Sequence, residues 1–398
     1  MSRLPSRLQP LWPLVKRGHR IGALAIGAMS RHTTAPLRDG VRAGSATSRA
    51  TVAAEPGTAT LHPVSPALTL ARPAPPGDPA GLTFLSSRTR TEIPERFVLE
   101  LAGGQLISRH GAVVTAGGIL DSETSHYFGI TSWREHPVFW NPWPARPEVV
   151  DGTVAVLSAR GTGHNFYHFV TDELPRIGLL REAFGDVLPD AWVLDRHTGY
   201  QKQLLGMLGI EPDRVLTPGP GFHLQAKRLL VPSLPNAVMD APPESQRWLR
   251  DNLPAKETTG LPEKIYVTRG TTPNTRRMVQ EDAVRAALEQ RGFACVDPGS
   301  LSVQEQIDHF AAARVIVAPH GAALTNLAFC RDGVRVLELF APGYTVHCYW
   351  AMTANIPDSR YRYLVAPTPV RTGDNELMQD IELAPGPIMD ALDQLLAS

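Results

Sequence analysis

The stretch Arg314-Val315-Ile316-Val317-Ala318-Pro319-His320-Gly321-Ala322-Ala323-Leu324-Thr325-Asn326 constrains the fold more than any other part of this chain. A short β-branched run stops at Pro319, and small residues then lead into a segment that suits a helix. Strand, glycine turn and helix N-terminus in that order form an α/β unit. The first helical amides have no intrahelical acceptor and the dipole end is positive, so an anion is favoured there. His320 adds a donor at the carboxyl end of the strand, where open α/β sheets place their ligands. A buried turn that needs only small residues would leave a similar trace, so the flanking sequence has to separate the two readings.

The flanks repeat the pattern. Lys264 to Thr268 reads as a strand, Gln280 to Arg291 as a helix, and Phe293 to Val296 as a strand. Ser302 and Glu305 make a capping box that opens a helix to Ala312, and Arg335 to Phe340 is strand-like. A helix is predicted after Gly321, and a last one from Ile388 to Leu396. Strands alternating with helices predict a parallel sheet, and the same rhythm runs from Trp192 to Val231. Prolines at 242, 243, 254 and 262 mark the predicted boundary between a domain over 91–255 and a domain over 262–398 that ends in the last helix. Both are α/β, and 398 residues suffice for two cores.

The first 80 residues differ: ten are basic and three acidic, and Ala, Pro, Thr, Ser and Gly fill most of the rest. That composition predicts a disordered tail over 1–90. It also resembles a transit peptide, and the nine apolar or glycine residues from Ile21 to Met29 make a poor signal sequence. Over the whole chain 39 basic residues balance 39 acidic ones, which gives no bias toward nucleic acid. Three scattered cysteines supply no disulfide framework and fit a reducing compartment. No apolar run approaches the roughly 18–20 residues needed to cross a bilayer. A cytoplasmic protein is expected, with at most a peripheral contact at the inner face of a membrane.

Three constellations carry candidate chemistry. On a helix starting near Gly161 and Gly163, Asn165, His168, Asp172 and Arg176 fall within an arc of roughly 80°. Phe166, Val170, Leu174 and Ile177 take the core side. His168 and Asp172 are one turn apart, so one can tune the other as a base. Pro175 predicts a kink. A solvated helix face is the plainer alternative, though such faces favour Lys and Glu. The second constellation is Tyr266-Val267-Thr268-Arg269-Gly270 with Asn274, Arg276 and Arg277, a set of guanidiniums suited to phosphate oxygens. The third is Glu338 near a strand end, where a carboxylate can take a ribose, followed by His347, Tyr349 and Trp350. No Asp-x-Asp pair occurs, so a diphosphate would be neutralised by arginines, a histidine and a helix end.

In order, Tyr167-His168-Phe169, Asp172, Leu174-Pro175-Arg176, Tyr266-Val267-Thr268-Arg269, Arg276, Arg277, His320 to Asn326 and Glu338-Leu339 resemble glycosyltransferase family 61 over residues 95–375. Phe169 stands where that family often has Trp, and Ala323 where Gly is usual; neither change removes a titrating group. The resemblance implies a GT-B fold, two Rossmann-like domains facing a cleft, and an inverting transferase acting from a nucleotide-sugar, a UDP-sugar above all, onto a hydroxyl of a glycan or glycoconjugate. Bacterial enzymes of surface or capsular polysaccharide are the nearest type it suggests. Asp172 is the first choice of base, with His168 as orienter or substitute, and Asn165 and Arg176 would touch substrate. Arg269, Arg276, Arg277, His320, Gly321, Ala322, Ala323 and Asn326 would hold the donor, with Glu338 on its ribose. No metal or other cofactor is expected. The alternative is a non-catalytic relative that binds a sugar-nucleotide or glycan as partner of another enzyme; it would keep the arginines but need no base.

Overall fold

The computed structural model describes residues 41–397 apart from 110, 128–129, 131, 141–143, 160–162, 187, 236–238, 271–275, 369 and 371–378, together with eight positions between 14 and 25. Gly161 and Asn274, both singled out above, lie outside these residues, as does most of the first forty. In chain order the strands are β1 (Ala43–Ser45), β2 (Ala59–Ser65), β3 (Leu68–Ala71), β4 (Gly77–Asp78), β5 (Arg90–Ile93) and β6 (Arg96–Ala102). The short strands β7 (Gln105–Ile107), β8 (Ala112–Val114) and β9 (Ile119–Asp121) form an antiparallel run. They precede β10 (Glu148–Val156), β11 (Ala191–Val193), β12 (Val215–Leu216) and β13 (His223–Pro232). The second half carries β14 (Lys264–Val267), β15 (Ala294–Val296), β16 (Val315–Pro319), β17 (Arg335–Phe340) and β18 (Arg360–Val365).

Two sheets result. The first runs β1-β9-β8-β7-β13-β10-β11-β12, with β6 on β13 and β2 on β6. Its β13-β10-β11-β12 part is parallel, and its winding reverses between β10 and β13. The second runs β15-β14-β16-β17-β18-β4 and is parallel throughout. By sequence position its first five strands lie in the order 2-1-3-4-5, so its winding reverses between β14 and β16. All of β16, and β17 apart from Arg335, are buried, which is why these strands read as unbroken apolar runs: helices cover both faces. The capping box at Ser302 and Glu305 starts helix Val303–Ala312 as expected, and the terminal helix spans Pro385–Ala397.

The tail expected through residue 90 is built into the fold from residue 41. In the first sheet, β2 pairs with β6, placing Leu61 opposite Leu99, and β1 lies beside β9. In the second, β4 extends the edge at β18, with Gly77 opposite Tyr363. Composition misled here because the segment has few apolar residues of its own; its order comes from strand edges supplied by later sequence. Arg72 fixes it further. Its guanidinium lies 2.7 Å from Asp240, both side chains buried, and also donates to Asn355. The chain passes from the first sheet to the second between Pro232 and Lys264, which includes the predicted boundary, yet the strap of residues 43–93 serves both.

The two halves share one continuous core. Phe169, Val170 and Leu174 of the first meet Leu324, Leu327 and Tyr349 of the second. The halves are therefore packed together along the helix that carries the first motif. Removing one member of the buried pair leaves an uncompensated charge, so Arg72→Ala should lower unfolding free energy by about 3–5 kcal/mol, read from the urea midpoint. Arg49→Ala, which breaks the exposed pair with Glu95, should leave that midpoint where it was.

Candidate functional site

The first motif begins with a cap. The Asn165 side-chain oxygen accepts from the amides of Tyr167 and His168, which starts helix Phe166–His168. A π-helical turn, Phe169–Glu173, follows before helix Pro175–Phe184. Pro175 accounts for it: the residue has no N–H, and its ring would strike the carbonyl four residues back in a regular helix. The chain widens instead, and the Leu174 amide donates five residues back to Phe169 at 3.3 Å. The predicted kink thus takes the form of a π turn, and the added residue shifts the phase of all that follows.

That shift splits the predicted stripe. His168 Nδ1 and Asp172 Oδ2 are 2.8 Å apart, and Asp172 Oδ1 accepts from the Thr171 hydroxyl at 3.0 Å. The Asp172 side chain is 5% exposed against 12% for His168, so the histidine is the outer member of the dyad. Arg176 leaves the stripe altogether. Only 1% exposed, it donates to the carbonyls of Leu157, Ser158 and Pro232, at the carboxyl ends of β10 and β13. Burial pulls its guanidinium down to about 10, with Glu173 and Asp172 opposing, so it stays charged at neutral pH. The solvated-face reading is excluded. One substrate contact is corrected as well: Arg176 is buried against main-chain carbonyls, whereas Asn165, exposed, uses its side-chain oxygen for the cap.

In the second sheet a groove opens at the carboxyl ends of β14, β15 and β16, bordered by Thr268, Arg269, Asp297 and Gly321 to Ala323. This is the point where the winding reverses, the position at which such sheets form a crevice. The Arg269 Nη1 donates to the His320 carbonyl at 3.0 Å. A Cβ on Gly321 would stand 2.1 Å from that nitrogen; its backbone is extended (φ 178°), so space and not conformation demands glycine. After it comes a 3₁₀ helix, Ala322–Phe329, where an α-helix was expected. Asn326 takes the Ala323 carbonyl through Nδ2 at 3.0 Å, an acceptor that an α-helix would give to residue 327. The amides of Ala322 and Ala323 stand at the start, where no helical acceptor exists. Asn326, fully buried, braces the turn from within.

Three arginines gather here. The Arg269 guanidinium is pushed down to about 10, by burial first and then by Arg276, with Arg277 adding to the effect. Arg276 lies over the Tyr344 ring at 4.7 Å, and the Arg277 amide is held by Asp380. An anion would relieve the burial of Arg269 beside two further cations.

His320, 4% exposed, has Nδ1 2.5 Å from Glu338 Oε1, and the Tyr361 hydroxyl donates to Glu338 Oε2 at 2.5 Å. Glu338 lies opposite Ala318 within the sheet, two residues short of the end of β17, and is 0% exposed. Both its oxygens are taken, so the ribose contact expected of it is corrected: it serves His320. The imidazole stacks on Phe340, with Tyr344 and Tyr349 ring centroids at 5.3 and 5.2 Å.

Tyr349 also joins the halves. Its ring is 5.7 Å from that of Tyr167, which is 5.3 Å from the His168 ring. Two carboxylate–histidine dyads, His168–Asp172 and His320–Glu338, are thus linked through two tyrosines. Sequence reasoning named Tyr349 only as a neighbour and missed Tyr344 and Tyr361. The alternation Arg360-Tyr361-Arg362-Tyr363 was the available signal, since it puts both tyrosines on one face of β18.

Residues 166–337 match the family model described as Glycosyltransferase 61. The matched region, a little under half of the chain, holds His168, Asp172, Arg269 and His320 and ends one residue before Glu338, and it supports a glycosyltransferase. No curated protein matches the chain. In Gly321→Ala the new methyl displaces the flexible end of Arg269 rather than backbone. Thermal stability of this variant should therefore stay nearly unchanged, read from the melting midpoint.

Proposed function

We propose that the protein is an inverting glycosyltransferase that moves a hexosyl or pentosyl group from a UDP-sugar to a hydroxyl of a glycan or glycoconjugate without a metal ion. One observation carries the reading: a dyad suited to accept a proton is joined through Tyr167 and Tyr349 to a second dyad beside clustered guanidiniums at the reversal point of a parallel sheet. The family match over 166–337 agrees with it. In a GT-B arrangement the second sheet takes the nucleotide and the first sheet's side takes the acceptor. Synthesis of a surface or capsular polysaccharide from cytoplasmic precursors is the setting we favour.

The chemistry follows from the residues. The leaving diphosphate develops negative charge as its bond to the anomeric carbon breaks. Arg269, Arg276, Arg277, His320 and the amides of Ala322 and Ala323 meet that charge in a partly desolvated groove, where it is worth most. The acceptor hydroxyl attacks from the opposite side, so configuration inverts, and its proton goes to His168. Asp172 was the first choice of base from sequence; its oxygens are engaged by His168 and Thr171, so it becomes the orienter, and the outer imidazole takes the proton.

Calorimetric titration with UDP and UDP-sugars tests the donor half. Micromolar binding that persists in EDTA and is lost in Arg269→Ala is expected; no binding by folded protein ends the reading. For the base, His168→Ala should cut UDP release from the bound UDP-sugar in the presence of mixed glycan acceptors by about 10²–10⁴-fold, with UDP affinity kept. If wild type and variant bind UDP alike and neither turns over, the non-catalytic binding relative is the correct description.

A further inference from the structure

The mechanism above uses His320 as a donor to phosphate, but its surroundings do more than place it. Glu338 is buried between β16 and β18 with both oxygens engaged, and a carboxylate there costs several kcal/mol unless something is gained by it. A Gln at this position would hold the imidazole's Nδ1–H equally well. The charge is what a Gln would not supply. We propose that Glu338 and Tyr361 are positioning residues for His320, fixing Nδ1–H on the carboxylate so that Nε2 meets the donor's diphosphate, and that the ring takes up a proton from solution as the diphosphate arrives. This rests on the donor-site reading given above.

The groups around the imidazole support it. From β17 come Glu338 and the apolar ring of Phe340; from β18, Tyr361 reaches it through Glu338. From the loop after β14 comes Arg269, whose guanidinium touches the His320 carbonyl, and Arg276 lies on Tyr344, which packs against the ring. Helix Cys348–Ala354 contributes Tyr349 and the nearby Cys348; burial raises both far above their ordinary range, so both stay neutral. In the empty protein, burial lowers the His320 pKa below its usual value. Glu338 opposes the shift, and Arg276 and Arg269 add to it. A diphosphate reverses the balance: it neutralises the two arginines and adds negative charge at Nε2, leaving Glu338 to stabilise the imidazolium from behind. The complex then holds the proton more tightly than the free protein. Affinity therefore rises as pH falls through the window between the free and bound pKa values, and one proton moves from buffer to Nε2.

Titration of the whole protein with UDP at pH 7.5, in buffers of different ionisation heat, reads the proton directly. At that pH the terminal phosphate, whose second pKa is near 6, is already ionised and releases little. Wild type should take up at least about half a proton per UDP. Glu338→Gln, which keeps size and hydrogen bond, should bind about tenfold more weakly with almost no uptake. Tyr361→Phe should retain uptake, since the carboxylate remains. Should Glu338→Gln fail to give native circular dichroism, His320→Gln carries the same readout. Binding by wild type without uptake, or uptake that survives Glu338→Gln or His320→Gln, overturns the proposal and leaves the donor site standing. No UDP binding by folded wild type removes the donor site and this proposal together.

Discussion

A guanidinium sunk into the first sheet sets the terms for the rest of the molecule. Arg176 stands at the carboxyl ends of β10 and β13, bound to three main-chain carbonyls that would otherwise face a crevice. Burying it is expensive, and those hydrogen bonds together with the nearby Glu173 and Asp172 offset the cost. Because Arg176 is anchored to both strands, the helix that bears it cannot rotate or slide. Its neighbour one turn back, Asp172, is held by the same anchor, and through Asp172 so is His168.

Each sheet therefore has a reversal point, and the protein treats the two differently. In the first the crevice is filled by the chain's own cation. In the second Gly321 keeps it clear, at a spot where even a methyl group would collide with Arg269. The filled crevice makes a rigid support and the clear one makes a receptacle. They meet through Tyr167 and Tyr349, so the distance between the two dyads is fixed by ring packing in a shared core. Rigid aromatic spacers suit a reaction in which two partners must approach along one line.

Much of this was legible in the sequence because it depends on local rules. The alternation from Lys264 to Phe340 announced a parallel sheet, Ser302 and Glu305 announced their helix, and His168 and Asp172 announced their contact by spacing alone. What stayed hidden depends on context. A π turn is one residue's worth of phase, and nothing in Phe169 to Glu173 writes it down; Pro175 hints at a disturbance without giving its form. Glu338 reads as a strand-end carboxylate until the register with β16 shows it to lie beneath the rim. Arg176 looks like a fourth member of a stripe until the strands it plugs are in place. The strap of residues 43–93 was the largest miss, since its order belongs to edges that lie elsewhere in the chain.

That strap has a consequence for the order in which the molecule can be made. A chain emerging from the ribosome presents β1, β2 and β4 first, yet their partners are β9, β6 and β18. The second sheet keeps an open edge at β18 until a segment synthesised almost 300 residues earlier, Gly77–Asp78, returns to cover it. The buried pair of Arg72 and Asp240 likewise spans 168 positions. Contacts this distant are slow to form, because loop closure has to precede any gain from pairing. Newly made protein should thus pass through a stage in which both halves are largely formed and the first-born segment is still loose, with the second sheet offering a bare strand to any neighbouring chain.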